Sequence, residues 1–170
     1  MNFTKAFFLT NIHTAIKIFC GILMNKVIAV LLGPSGLALI GQFQNFSSII
    51  RSVANGSIQT GIVKYSSEYK NNESDLRNLL KNSLSIMLFL SVLISILVFL
   101  FSDFLSIKIL FASEYNYVFK LFASMIIFYS LNLYFLSFVN GLGEIQLFTI
   151  INIVVSLLKL IFVILFIYFY

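Results

Sequence analysis

Five stretches of the chain are apolar for long enough to cross a hydrocarbon layer, and short polar breaks separate them. A helix needs about 20 predominantly apolar residues to span a core ~30 Å thick. The runs fall at roughly 6–31, 40–63, 83–102, 118–139 and 148–170. None alternates apolar and polar residues at period two, as the strands of an outer-membrane barrel do. The pattern predicts an all-α fold, a polytopic transmembrane helical bundle of about five spans, with no separate soluble domain. Between the first two runs, Gly33-Pro34-Ser35-Gly36 predicts a type I turn, with Pro second and Gly fourth. Lys64 to Lys81 is the one strongly hydrophilic segment, and Asn72 or Ser74 is placed there to cap the helix that follows, with Asp75 in its first turn. A loop holding Asp103, Lys108 and Glu114 leads into the fourth run. A tight turn from Asn140 to Glu144 leads into the fifth.

Polar residues inside the runs are not scattered. At about 100° per residue, Gln44, Asn45, Ser48, Arg51, Ser52, Asn55 and Gln59 fall within an arc of about 120° on the second run. Phe43, Phe46, Ile50 and Val53 cluster opposite, so this helix is expected to show one face to lipid and one to a wet or protein-lined space. The first run repeats the theme with Thr10, Thr14, Lys17 and Gly21, and the fifth with Thr149, Asn152, Ser156 and Lys159. The third and fourth runs carry mainly scattered Ser, with Asn132 the main amide, and are expected to be peripheral.

Depth sharpens this. Lys17, Arg51 and Lys159 each sit near the middle of a run. A charge at the bilayer centre costs about 2.5–3.5 kcal/mol on insertion scales, so it needs water or a partner. The six acids, Glu68, Glu73, Asp75, Asp103, Glu114 and Glu144, all lie in loops or at run ends. The apolar interior is therefore purely cationic, which predicts a water-accessible cavity for an anion such as a phosphate, pyrophosphate or sugar acid. Arg suits phosphate through its bidentate fork and Lys as a point charge. Gln44, Asn45, Ser48, Ser52, Asn55 and Gln59 would surround sugar hydroxyls. The bland alternatives are that Lys17 and Lys159 are neutral or snorkel, that Arg51 pairs with an acid elsewhere in a longer protein, and that the amides only join helices.

Composition agrees with the pattern. Charged residues make up 10% of the chain, against about 25% in a soluble domain. The formal net charge of +5 is read through the positive-inside rule and not as a sign of nucleic-acid binding. With the N-terminus in the cytoplasm, the inner segments hold Lys5, Lys64, Lys70, Arg77 and Lys81, while the outer ones hold Lys108 and Lys120. Met1 to Lys5 followed by an apolar run mimics a signal peptide, but Asn11, His13, Thr14 and Lys17 interrupt it, so it reads as a retained first span. Cys20 and His13 are each the sole residue of their kind, so no disulfide, metal or cofactor is expected.

Three motifs carry a family resemblance: Gly33-Pro34-x-Gly36, Gly41-Gln42-Phe43-Gln44-Asn45, and Thr60-Gly61-x-Val63-Lys64-Tyr65 followed by Glu68-Tyr69. Over residues 30–70 the chain resembles the Wzx-type O-antigen flippases of the multidrug/oligosaccharidyl-lipid/polysaccharide exporter superfamily. The resemblance implies a multi-pass protein of the bacterial inner membrane that moves an undecaprenyl-pyrophosphate-linked oligosaccharide between leaflets by alternating access. It implies two helical bundles facing each other across a cationic cavity, with Arg51 and Lys17 at positions where cavity cations are expected. The partners implied are the polyprenyl-pyrophosphate-linked oligosaccharide, membrane lipids and a second, C-terminal bundle. Such transporters have about a dozen spans, so residues 1–170 are expected to be an N-terminal portion, incomplete without that bundle. Two other functions are weighed against this one. A cation or drug antiporter usually needs a membrane-embedded carboxylate, which these runs lack. A membrane-embedded enzyme of polysaccharide biosynthesis needs paired acids or a catalytic His, which they lack as well. No enzymatic activity is expected.

Overall fold

A computed structural model describes residues 3–56 and 58–169. Among them it has six α-helices and one 3-10 turn, and no strand. The helices are α1 (Phe3–Ala54), α2 (Ile58–Glu68), α3 (Glu73–Leu100), α4 (Ser102–Leu110), α5 (Asn116–Gly141) and α6 (Ile145–Phe169), with the 3-10 turn at Ser113–Tyr115. Four helical stretches are long and apolar enough to cross a membrane: Asn11–Ala54, Glu73–Leu100, Ser113–Gly141 and Ile145–Leu165. The protein is thus a polytopic helical bundle of membrane type. The chain divides into two compact units, Met1–Ala38 with Glu144–Tyr170, and Leu39–Gly143.

The helix α1, which contributes residues to both units, departs from the sequence expectation. The first apolar run and the second as far as Ala54 lie on this one element, whose apolar stretch of 44 residues is over twice the ~20 that one crossing needs. The expected type I turn at Gly33–Gly36 is absent. Gly33 alone leaves the helix, at φ 68° and ψ −173°, and helix resumes at Pro34. That backbone region is essentially open only to Gly. Proline is suited to the first turn after a break, because its missing N–H would have no intrahelical partner there. Each side of the break is long enough to cross once.

The second unit is built around α5, which packs against α2, α3 and α4. The expectation that the fourth run is peripheral is therefore corrected. The buried residues of α5 are Phe119, Ala123, Ile126, Ser130, Tyr134, Ser137 and Gly141, at three- and four-residue spacings. Four of the seven are Ala, Ser or Gly, which lets neighbouring backbones come close. At Gly141 a Cβ would meet Ser66 Cβ at 2.8 Å and the Val63 carbonyl oxygen at 2.9 Å, so α2 and α5 touch there backbone to backbone. Tyr134 donates its hydroxyl to the Leu80 carbonyl of α3 at 2.8 Å.

The face of α1 expected to meet lipid mostly does not. Phe43, Phe46 and Ile50 pack on a core of Ala54, Val98, Leu110, Phe119, Ala123 and Ile126. Phe43 and Phe46 set their rings edge-on to Phe119 at centroid distances of 5.6 and 5.4 Å, a favoured aromatic geometry. Only Val53 of that group is exposed. The expected loop of Asp103, Lys108 and Glu114 is largely α4, with Asp103 in its first turn and Lys108 in its last, matching the helix dipole. Leu110 anchors α4 in the core, Ser106 donates to the Ala112 carbonyl beyond its end, and Asn116 donates to Asp103 at 2.6 Å. At the start of α3, Asn72 is the N-cap. Its side-chain oxygen accepts from the Asp75 backbone N–H, and Glu73 and Asp75 occupy the first turn.

Candidate functional site

The second apolar run is not one helix. α1 ends at Ala54, Asn55 and Gly56 form a turn, and α2 begins at Ile58. Gly56 has φ 55°, a region that side chains adopt at a cost of roughly 1–2 kcal/mol. A Cβ there would lie 2.7 Å from the Leu90 Cδ1 of α3. Asn55 closes the end of α1 by donating its amide to the Arg51 carbonyl at 2.5 Å, while the Asn55 carbonyl accepts from the Ile58 N–H at 3.1 Å. A wheel drawn straight through 40–63 therefore carries the wrong phase beyond Ala54.

A cavity of about 400 Å³ opens at this break, lined by Ser48, Arg51, Ser52, Asn55, Gln59, Thr60, Tyr129 and Leu133. Ser48, Arg51 and Ser52 come from the end of α1, Asn55 from the turn, Gln59 and Thr60 from the first turn of α2, and Tyr129 and Leu133 from α5. Gln59 thus reaches the same space as the α1 residues, but by way of the turn. The first N–H groups of a helix lack intrahelical partners and carry a partial positive charge, so the first turn of α2 adds to the cationic character that Arg51 supplies.

Arg51 is half-buried. Its Nε–H donates to the Ser47 carbonyl at 3.1 Å, and its guanidinium carbon lies 4.9 Å from the centroid of the Tyr129 ring. The ion pair among the described residues is Glu73 with Arg77 on α3, so no described carboxylate neutralises Arg51. Asn55 is buried, and its Oδ1 has no hydrogen-bond partner, nor do the hydroxyls of Ser47 and Ser130. A buried acceptor without a partner costs about 1–3 kcal/mol, so this part of the second unit is polar beyond what its own packing satisfies.

Of the residues singled out from the sequence, Ser48, Arg51, Ser52, Asn55 and Gln59 line this cavity. Gln44 and Asn45 are exposed on α1 one to two turns earlier and do not line it. Lys17 on α1 and Lys159 on α6 belong to the first unit, and both are exposed. Exposure does not set off the stripe containing Lys17, because Ile18, Phe19 and Ile22 around it are exposed as well. The side chain of Thr10 lies outside the described residues. On α6, the stripe shared with Lys159 is locally satisfied: Asn152 donates to the Phe148 carbonyl and Ser156 to the Asn152 carbonyl, each at 2.8 Å. No group of three or more potential metal ligands occurs among the described residues.

Sequence reasoning missed Tyr129, Leu133 and Thr60. Tyr129 carries a weak signal, a phenol that follows a stretch of α5, residues 121–128, made of apolar residues and one serine. The break had a clearer one, because Asn-Gly is a common turn dipeptide.

No family model matches the chain, and no solved structure matches it. The chain is 32% identical over 96 residues to proteins named lipid III flippase from Escherichia coli (strain K12) and from Shigella flexneri. The matched stretch is 56% of this chain and spans 23% of the length of each relative. In fold the protein is a multi-pass helical membrane protein, and over part of its length it is similar to flippases.

Proposed function

We propose that this chain takes part in moving a lipid-linked oligosaccharide across a membrane, with the cavity at the α1–α2 break receiving the anionic linkage. The observation that carries this reading is the Arg51 guanidinium, which lines a polar cavity in an apolar chain with no described carboxylate beside it. Partial identity to lipid III flippases supports it independently. In finer terms, the cargo is an undecaprenyl-pyrophosphate-linked repeat unit of the O-antigen kind, and the membrane is the bacterial inner membrane. Arg51 forks two phosphate oxygens, and Ser48, Ser52, Asn55 and Gln59 provide hydrogen-bonding groups for sugar hydroxyls. Lys17 and Lys159, on the first unit, are further candidate cations for the anionic cargo, and Gln44 and Asn45 continue the polar face of α1. Alternating access requires two bundles rocking about a shared site, so a second bundle completes the transporter.

The test is Arg51→Ala, introduced at the chromosomal locus of the native host. A charged hydrogen bond is worth about 1.5–3 kcal/mol, so surface polysaccharide should fall by roughly tenfold or more while the protein still inserts into the membrane. Unchanged polysaccharide with normal insertion would remove Arg51 from the mechanism.

A further inference from the structure

An anion site needs a cation that is both held still and left charged. These demands conflict in most proteins, because a carboxylate partner that fixes an arginine also neutralises it. The second unit resolves the conflict without an acid. The Arg51 Nε–H is committed to the Ser47 carbonyl one turn back on α1. The guanidinium carbon sits over the ring of Tyr129, which stands on a different helix, α5. The backbone carbonyl of Arg51 accepts from the Asn55 side-chain amide, which fixes the end of α1 that carries this side chain. An aromatic face attracts a cation through its quadrupole and carries no charge of its own.

We propose that Tyr129 is a positioning residue for the anion-binding guanidinium: it clamps Arg51 from α5 without neutralising it. The inference rests on the reading of this cavity as an anion site. With Nε engaged and one face against the ring, the edge formed by Nη1 and Nη2 is the part of the fork left for a ligand. Two parallel N–H donors on that edge match two oxygens on one phosphorus. The ligand class is a phosphate or pyrophosphate group approaching end-on, and a shift of Tyr129 relative to α1 would change the aim of the fork.

The chain has two arginines, Arg51 and Arg77, which makes a direct test practical. In the purified full chain in lipid nanodiscs, a proton–nitrogen correlation spectrum of the arginine Nε–H groups contains two signals, and Arg77→Lys assigns them. Inorganic pyrophosphate is the probe. Its addition to the wild type should move the Arg51 signal. Tyr129→Phe keeps the ring and should keep the Arg51 Nε–H position and an affinity within about twofold. Tyr129→Trp offers a stronger ring and should bind at least as tightly as the wild type. Tyr129→Leu should broaden the Arg51 signal through exchange and weaken pyrophosphate binding by about three- to tenfold. If Tyr129→Leu binds as tightly as the wild type, or Tyr129→Trp binds more weakly than Tyr129→Leu, the clamp is wrong although the anion site stands. If pyrophosphate leaves the Arg51 signal of the wild type unmoved, the anion reading itself falls, and the clamp with it. If Tyr129→Leu fails to fold, the Phe and Trp variants, which preserve the bulk at residue 129, carry the test: a loss of pyrophosphate affinity of about threefold or more in either one overturns the clamp.

Discussion

Gly33 and Gly56 each interrupt a run of apolar helix, and both do so with positive φ. Their surroundings differ. A Cβ on Gly33 would meet nothing within 4 Å, and the break is followed directly by Pro34. A Cβ on Gly56 would collide with Leu90 at 2.7 Å, and the break is bordered by Arg51, Asn55, Gln59 and Thr60 around a cavity. Gly33 is a break written locally, by a glycine and a proline. Gly56 is held in place by a neighbouring helix and spends its geometry on a site. A glycine in a membrane helix is therefore not informative by itself, and what stands against it tells whether the break shapes the fold or the function.

The contrast can be broken by substitution, with unfolding midpoints in detergent and pyrophosphate affinity as paired measurements. The largest effect is expected at Gly141, which holds α2 against α5. Gly141→Ala presses a methyl on backbone atoms of Val63 that cannot swing away, and should cost about 3 kcal/mol with loss of pyrophosphate binding. A change under about 1 kcal/mol would mean that α2 is not held there. Gly56→Ala should cost about 2 kcal/mol, from positive φ and displacement of the flexible Leu90 tip, and should weaken pyrophosphate binding several-fold. Gly33→Ala should cost about 1–2 kcal/mol from backbone strain alone and leave that affinity unchanged. Equal losses of affinity in the last two variants would erase the distinction between the breaks. Pro34→Ala should be mildest, at about 0.4–1 kcal/mol through the freedom it returns to the unfolded chain.

Much of the helical layout could be read from local pattern. The long apolar runs, the cap at Asn72 and the polar cluster of Ser48, Arg51, Ser52 and Asn55 are all set by residues close in sequence. What escaped reading depends on distant contacts. The break at Gly56 depends partly on Leu90, and the cation's clamp comes from Tyr129. Phe43 and Phe46 look ready for lipid until Phe119 and Phe122 are found against them, because a periodic face cannot say what covers it. The centrality of α5 was hidden in a seam of Ala, Ser and Gly, which hydrophobicity ranks low and close packing favours. α4 reads as a loop in the sequence because its charges sit near its ends, where they match the helix dipole.

The side chain of Lys70, in the turn between α2 and α3, donates to the carbonyl of Leu142, just beyond α5, at 2.7 Å. The two residues are 72 apart in sequence. During synthesis, then, the polar end of this unit stays unlatched until α5 has left the ribosome and entered the membrane. A contact that looks like a surface detail in the finished molecule is, in time, a late one: it cannot form before residue 142 has been made.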